Sequence, residues 1–525
     1  MKPFGYCIFF FLWFFLLLIG SSGVYASDHS QTDQGIILEN DSLHIEFNST
    51  SGTITAWIVQ GHSMAASRDL VSLANEQLRL SGSIANRNIN EWTALAGGWK
   101  MVEKSDRSVR FRLAGRSVPF VLEQRWQLQD ETWLAGLEIS IKALQAFDAP
   151  DLGIVIGPGI GEIPSSGLGV SEGLYSFTEV VYQTTGHVYN LRLESAGESR
   201  DAQTKPFEWI GLQSRYFTIL LIPGKQDGSF CNWSAFTPKK PQFFPEHPSL
   251  ETRLNVCLAY SSFAAGEKKV FAWSIYGGGK SYESLKQCKL QSLLFAGLWQ
   301  WMRLLTLGIM HVLYAIQMIV VNWGVAIICL AFLVRLVIHP IARKAMTSQK
   351  LFNELQEKIQ PEIKEIKSKY KGGEQSERIL YVYEQYGISP LAGLKPLLIV
   401  LIQIPIFIAL FYLLGQSFEL RETSFMWIET LAEPDRLFSF GVDLPFFGSY
   451  LNLLPLVMTL TNIYSIKISQ PRTEDSGKSF KNNLFLIIVA ISFFLLFYSF
   501  PSGMVLYWTM ANVLQLIHQI MLKWI

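Results

Sequence analysis

The chain has 525 residues, of which 49% are hydrophobic and 17% charged, and its formal net charge is +1. This length predicts at least two domains. The near-neutral charge argues against a sequence-specific nucleic-acid-binding protein, whose binding domain would be basic. Residues 27–285 have the composition of a soluble protein, whereas most of the long apolar runs fall within residues 290–525. The sequence therefore predicts a membrane protein that carries one large soluble domain.

The N-terminal segment, residues 1–26, has the features of a targeting or anchoring element. Residues 4–19 are apolar and aromatic, Lys2 precedes them, and small residues near Ala26 follow. This pattern fits a secretory signal, and it fits an uncleaved first transmembrane helix nearly as well. In both cases we expect the chain after this segment to be delivered across the membrane.

Residues 27–285 predict a large extracytoplasmic β-sandwich domain. Apolar and polar residues alternate at 43–47, 109–113, 122–128 and 137–141, as they do in half-buried strands. The domain shows no carboxylate pair, metal cluster or catalytic motif, so the sequence predicts neither an enzyme nor a cofactor. Cys231 and Cys257 fit a disulfide of an exported domain and two buried free thiols equally well.

Residues 286–318 predict an amphipathic helix along the outer membrane interface. The apolar residues are interrupted by polar ones, and the segment contains two tryptophans, as is typical of interfacial helices. These residues are Gln300, Arg303 and His311, with Trp299 and Trp301.

Residues 319–525 predict a core of five transmembrane helices. The candidate spans are 319–338, 395–415, 447–467, 483–500 and 503–522. The loop 343–395 holds ten Lys and Arg against seven acids, so the positive-inside rule places it in the cytosol. The acidic loop 419–443 is then outside. With the N-terminal helix this gives six spans and two cytosolic termini.

The cytosolic loop predicts an antiparallel helical hairpin over residues 343–390. Apolar residues recur at three- to four-residue spacing between 351 and 370, and a second stripe begins at Ile379. Gly372 and Gly373 separate the stripes, and Pro361 predicts a kink in the first arm. The stripes comprise Leu351, Leu355, Ile359, Ile363, Ile366 and Tyr370, then Ile379, Leu380, Val382, Tyr383 and Tyr386. The lysines of this loop fit contacts with anionic headgroups or a partner as well as a solvated face.

Arg335 lies deep inside the first apolar run of the core, which begins at Asn322. An arginine near the bilayer centre costs at least about 2.5–3.5 kcal/mol. It must therefore either snorkel to the cytosolic headgroups or face a wet cavity lined by protein. Its position alone does not choose between these alternatives.

Several stretches of the core, in this order and spacing, resemble the YidC/Oxa1/Alb3 family of membrane protein insertases, in particular the Gram-negative YidC type. The matching stretches are 322–324, 332–335 with Pro340, 389–393, 396–398, 403–407 and 500–508. The resemblance covers residues 320–520. The exported domain matches by position and β-character only.

The resemblance implies that five core helices enclose a hydrophilic groove and that Arg335 supplies its positive charge. Gln403, Tyr507 and Trp508 match further groove-lining positions. The stretch from Pro396 to Gln403 is about three residues longer than the family pattern, so the start of this helix is shifted relative to that pattern.

The resemblance also implies a function and a location. The protein would insert nascent membrane proteins in a bacterial inner membrane, with the large domain in the periplasm and a cytoplasmic C-terminus. The implied partners are the Sec translocon, anionic lipids, and the ribosome and targeting factors at the hairpin.

Two other classes of protein share some of these features. A transporter or channel also places charge in the membrane, but it usually shows more intramembrane polar residues and often an internal repeat. A membrane-anchored periplasmic glycan-binding or glycan-processing protein would place its site in the β-sandwich. Solute flux and glycan turnover, respectively, would identify them.

Overall fold

The computed structural model describes most of the chain and divides it into two compact units. The described residues are 35–49, 52, 54–59, 78–81, 99–113, 119–129, 132–148, 153–157, 177–203, 207–224, 230–241, 248–258, 262–386, 395–421, 423–444, 447–469, 488 and 490–524. The first unit comprises the described residues up to Gly297 with 416–422 and 440–449, and the second comprises the remainder. The predicted N-terminal helix lies outside the described residues.

The first unit is built mainly of antiparallel strands. They are β1 Ile36–Glu39, β2 Leu43–Phe47, β3 Ile54–Val59, β4 Leu78–Ser81, β5 Trp99–Lys104, β6 Ser108–Leu113, β7 Phe120–Leu128, β8 Leu134–Ala143, β9 Phe147–Asp148, β10 Gly153–Ile156, β11 Glu179–Thr184, β12 His187–Arg192, β13 Ser199–Gln203, β14 Trp209–Gln213, β15 Phe217–Pro223, β16 Phe230–Phe236, β17 Arg253–Leu258, β18 Ser262–Phe263 and β19 Lys268–Gly279. A short helix, α1 Tyr282–Gln287, follows β19.

Three sheets dominate this unit. The largest has nine strands in the order β12-β11-β14-β15-β19-β8-β7-β6-β5. A five-stranded sheet has the order β13-β16-β17-β10-β4, and a three-stranded sheet contains β1, β2 and β3. The alternating stretches quoted from the sequence lie in β2, β6, β7 and β8, where alternate side chains are buried. The strand predictions are therefore confirmed.

Aromatic side chains join the sheets into layers. The ring of Phe47 on β2 lies 5.5 Å from that of Phe111 and 5.6 Å from that of Trp126, both on the nine-stranded sheet. The ring centroid of Tyr182 on β11 lies 5.4 Å from that of Trp233 in the five-stranded sheet. Rings at such distances bury large apolar areas between sheets. These layers agree with the predicted β-sandwich.

Phe418 belongs to this unit although it follows the chain's fourth long helix. Its ring packs edge-on against Trp133 at 5.9 Å and Phe217 at 5.6 Å. The backbone N–H of Tyr282 donates a hydrogen bond to Glu419 at 3.2 Å. The short segment 416–422 is thus part of the aromatic core of the β-sheet unit.

The second unit contains the long helices. They are α2 Gln300–Val320, α3 Trp323–Lys369, α4 Gly373–Gln385, α5 Lys395–Gln416, α6 Leu453–Ser469 and α7 Ser502–Trp524, with a further helical stretch at 490–497. Two short strands, β20 Phe438–Leu444 and β21 Gly448–Leu451, come between α5 and α6 in the chain. Because residues 448–451 form β21, the third predicted span begins at Leu453 instead of 447.

Two helices of the described residues are long and apolar enough to cross a membrane, namely Gln300–Val320 and the Trp323–Pro340 part of α3. Shorter apolar helical stretches lie at Gln403–Gln416 and Leu453–Ser465. Part of the span predicted at 483–500 lies outside the described residues. Helix α2 confirms the predicted helix for residues 300–318 only, because residues 288–299 form turns and a short 3-10 helix. The place of α2 at the membrane interface stays a prediction.

Helix α3 runs without interruption from the apolar segment of Arg335 into the predicted hairpin. The side chain of Asn322 caps its start by accepting a hydrogen bond from the Val325 N–H at 3.1 Å. Pro340 and Pro361 both lie inside the helix. The first arm of the predicted hairpin is therefore continuous with the helix of Arg335, since each proline removes one hydrogen bond without ending the helix.

Helices α3 and α4 pack through the two predicted apolar stripes. Ile359 and Val382 are buried at the centre, and the Tyr386 hydroxyl donates a hydrogen bond to Glu362 at 2.8 Å. The partly buried neighbours of this centre are Leu355, Ile363, Ile366 and Tyr383. Leu380 was assigned to the second stripe wrongly, because its side chain is exposed.

Candidate functional site

Arg335 lies where α3 packs against α7. Its side chain is half-buried, and its titratable neighbour across the helix contact is the buried Tyr507 on α7. No carboxylate of the described residues is within ion-pair distance of Arg335. A guanidinium inside an apolar helix without an anionic partner is available to a bound anion.

Two histidines lie next to this arginine, and the sequence analysis did not identify them. His339 follows Arg335 by one turn of α3, and its ring centroid is 4.8 Å from that of His518 on α7, with the planes at 85°. His518 is about three turns after Tyr507 and shares its face of α7. The available sequence signals were the four-residue spacing of His339 from Arg335 and the eleven-residue spacing of His518 from Tyr507, each within one apolar helix.

Trp508 faces away from Arg335. Its ring centroid is 4.5 Å from that of Phe407 on α5 and 4.9 Å from that of Phe497. Adjacent helical residues are separated by about 100° around the axis. Tyr507 therefore faces α3, while Trp508 joins an aromatic cluster that also contains Phe411 and Phe500.

Gln403 precedes Phe407 by one turn of α5 and so shares the face that carries Phe407. It is half-buried and, among the described residues, no hydrogen bond joins it to another side chain. The structure thus associates Gln403 with the Trp508 side of α7. It associates Tyr507 directly with Arg335.

Polar side chains continue along α7 between these two faces. Gln519, about three turns after Trp508, accepts a hydrogen bond from Ser465 of α6 at 2.9 Å. Viewed along the axis of α7, Gln515 lies between His518 and Gln519. All three side chains are half-buried. Helix α7 therefore presents a polar arc that extends from its contact with α3 to its contact with α6.

The loop 423–439 anchors the N-terminal ends of α6 and α7. Asp435 accepts hydrogen bonds from the N–H groups of Leu453 at 2.7 Å and Leu454 at 3.0 Å, as a capping carboxylate does. The N–H groups of Ser502 and Gly503 donate to carbonyls of this loop at 2.7 and 2.8 Å. These bonds fix one end of the helices that carry the polar arc.

The first unit contains a separate cluster of buried charges. Glu179 accepts hydrogen bonds from Gln213 at 2.5 Å and Asn190 at 2.9 Å. Burial raises the pKa of Glu179 and lowers the pKa of Lys280 to about 8, and the attraction between the two groups opposes both shifts.

These features define an α-helical membrane protein with a large β-sheet domain and a charged, polar region among its helices. Residues 315–524 match the model of a family described as 60Kd inner membrane protein. The membrane protein insertase YidC of Treponema denticola is 26% identical over 95% of this chain and 87% of its own length. That of Syntrophobacter fumaroxidans is 29% identical over 66% of this chain and 59% of its own length.

A crystal structure described as an active YidC insertase with its first transmembrane domain resolved aligns over 93% of both chains, at 15% identity and a TM-score of 0.35. The family match and the curated relatives place the chain in the membrane. The chain is therefore similar to membrane protein insertases of the YidC type over most of its length.

Proposed function

We propose that this protein inserts nascent membrane proteins by holding their polar segments in a hydrophilic groove around Arg335. The observation that carries the proposal is a half-buried guanidinium without an ion pair among the described residues, inside a helix apolar enough to span a membrane. The curated relatives carry the same activity in their names.

The groove would act by lowering a desolvation barrier. A polar segment that enters hydrocarbon loses its water at a cost of several kcal/mol for each unsatisfied group. Arg335 and the polar arc of α7 would replace part of that water, and Tyr507, Gln403 and Trp508 would line the remaining wall. Burial of the substrate's apolar helix then supplies the driving force, at about 25 cal/mol per Å². This step needs neither a catalytic residue nor a nucleotide.

The proposed membrane topology follows the sequence. Five core helices and the N-terminal helix would give six spans, with domain limits of 1–26, 27–285, 286–318 and 319–525. The β-sandwich would lie in the periplasm of a bacterial inner membrane, and both termini would be cytoplasmic. The anchored loop 423–439 would then close the outer end of the groove, while its cytosolic end stays open.

The hairpin of α3 and α4 is the proposed receiving surface. Its core buries Ile359 and Val382, while the charged side chains of its outer surface are exposed. We propose that this surface contacts the ribosome and targeting factors, that its lysines meet anionic lipids, and that the Sec translocon is a further partner.

A charge exchange between protein and substrate tests the central step. Arg335→Glu should reduce insertion of a substrate with an acidic translocated segment into proteoliposomes by about 10-fold or more, because a charge pair at about 4 Å in a medium of effective dielectric 20 is worth up to about 4 kcal/mol. A substrate with a basic segment should be inserted better by this variant than by the unmodified protein. Protease protection of the translocated segment measures both.

Arg378→Glu is the matched control, since Arg378 is an exposed cation of α4 that pairs with Glu374 on the hairpin surface. It should leave both substrates unaffected in a purified system. If Arg335→Glu and Arg378→Glu gave the same insertion of acidic and basic segments, the charge-attraction step would be wrong.

A further inference from the structure

The histidine pair beside Arg335 has no part in the mechanism described so far. His339 and His518 come from different helices, and their rings meet nearly at right angles with centroids 4.8 Å apart. Both side chains are half-buried. They are therefore packed at the helix interface without being sealed from a bound chain or from water.

The charged surroundings of the pair are all cationic or neutral. Among the described residues, the groups whose charges act on His518 are His339 and Arg335, both on α3. From α6, Ser465 meets the adjacent Gln519 and carries no charge. No described carboxylate forms an ion pair with either histidine.

We propose that His339 and His518 form a second binding point for carboxylates of the inserting segment, and that the pair takes up a proton from water when a carboxylate arrives. This inference rests on the proposed function, because the ligand is the substrate's own translocated segment. A proton on the pair lies next to the positive charge of Arg335 in the empty site. An incoming carboxylate compensates both charges, so proton uptake and substrate binding favour each other.

The geometry gives the site a preference for particular substrates. Four residues, about 6 Å along the helix axis, separate Arg335 from His339 on α3. Two residues that are two positions apart in an extended segment are separated by about 6.6 Å. A segment with acids at positions i and i+2 can therefore place one carboxylate at Arg335 and the other at the histidine pair.

The expected signature is a pH dependence specific to acidic substrates. Imidazole charges in the range where aspartate stays ionised, so lowering the pH from about 8 to about 6 adds charge to the site and leaves the substrate's charge unchanged. One proton taken up on binding changes affinity by at most about tenfold per pH unit. We expect insertion of a segment with two acids to increase about 3- to 10-fold over this range.

The experiment uses the full chain in phosphatidylcholine vesicles and a single-span test protein. Its translocated segment carries either Asp-x-Asp or Asn-x-Asn, and protease protection is measured across the pH range. The double variant His339→Gln with His518→Gln should lose the pH dependence for the acidic segment. It should keep insertion of the neutral segment, which shows that it has folded. His518→Arg should keep high insertion of the acidic segment at the alkaline end.

His311→Gln is the matched control, because His311 lies on the exposed side of α2. Its Nδ1–H donates a hydrogen bond to the Leu307 carbonyl at 2.6 Å. This control variant should keep the pH dependence. The histidine proposal would be overturned if the double variant kept the same pH dependence as the unmodified protein, or if the unmodified protein showed none. In either case, insertion of the acidic segment at a single pH would still support the proposed function. Failure of the unmodified protein to insert either segment would overturn both.

Discussion

Gly324 sets how closely the start of α3 can approach the loop 423–439, and its replacement by alanine gives a quantitative test. A Cβ at this position would lie 2.2 Å and 2.3 Å from two ring atoms of Phe425, against a normal carbon contact of about 3.5–4.0 Å. Phe425 cannot easily move away. Its ring is buried, and its backbone exchanges two hydrogen bonds of 2.9 Å with Ile428.

The clash demands a displacement of more than about 1 Å, so we expect the upper part of the usual overpacking range, about 3 kcal/mol. For a unit of this size that corresponds to a decrease in Tm of about 6–12 °C. Thermal unfolding of the detergent-solubilised protein measures the loss. Gly308→Ala is the control, since nothing lies within 4 Å of the added Cβ on α2.

A second variant tests the assigned cause. Phe425→Ala should cost about 3–5 kcal/mol alone. Combined with Gly324→Ala it should recover at least half of the loss caused by Gly324→Ala, because it removes Cγ and Cδ2, the two ring atoms that clash. Strictly additive effects of the two substitutions would refute the reasoning. A Tm for Gly324→Ala within about 1 °C of the unmodified protein would refute it as well.

Three further outcomes are expected. Phe418→Ala should destabilise the β-sheet unit by about 3–5 kcal/mol in pulse proteolysis, since the ring fills a site between Trp133 and Phe217; exposed Phe438→Ala should change little, and equal effects would contradict the assignment. Ile359→Ala should reduce hydrogen-exchange protection of α4 by about 2–4 kcal/mol, whereas Leu380→Ala should leave it unchanged. Burial lowers the pKa of Lys280 to about 8, so the folded chain loses this proton before the unfolded chain does, and urea stability should increase between about pH 8 and about pH 10.5. Lys280→Met should lack this increase, and an identical pH profile would refute it.

The sequence predicted those strands and helices in which apolar residues recur at the regular spacing of a strand or of a helix. Strands β2, β6, β7 and β8 alternate because each has one buried face, and Ile359 and Val382 recur at helical spacing because α3 and α4 bury one stripe each. Residues 448–451 carry no such signal. They were assigned to a helix because they adjoin an apolar run, but they form β21.

The candidate site was predictable one residue at a time and not as an arrangement. The cost of an intramembrane charge identified Arg335 from sequence. Tyr507 and Trp508 are adjacent in the chain, yet one faces Arg335 and the other contacts Phe407, because one residue step turns the helix by about 100°. The meeting of His339 with His518 depends on how α3 and α7 pack, which no local pattern contains.

Because α3 is uninterrupted, Arg335 and the first arm of the hairpin belong to one stiff helix. Its 47 residues measure about 70 Å, and Ile359 lies about 36 Å along the axis from Arg335. A hydrogen-bonded helix resists twisting, so a large body that docks on the hairpin and turns it also turns the guanidinium. Pro340 is the most compliant point between them, since its nitrogen carries no hydrogen for the helix. The position of Pro340 therefore determines how much of a rotation of the hairpin is transmitted to Arg335.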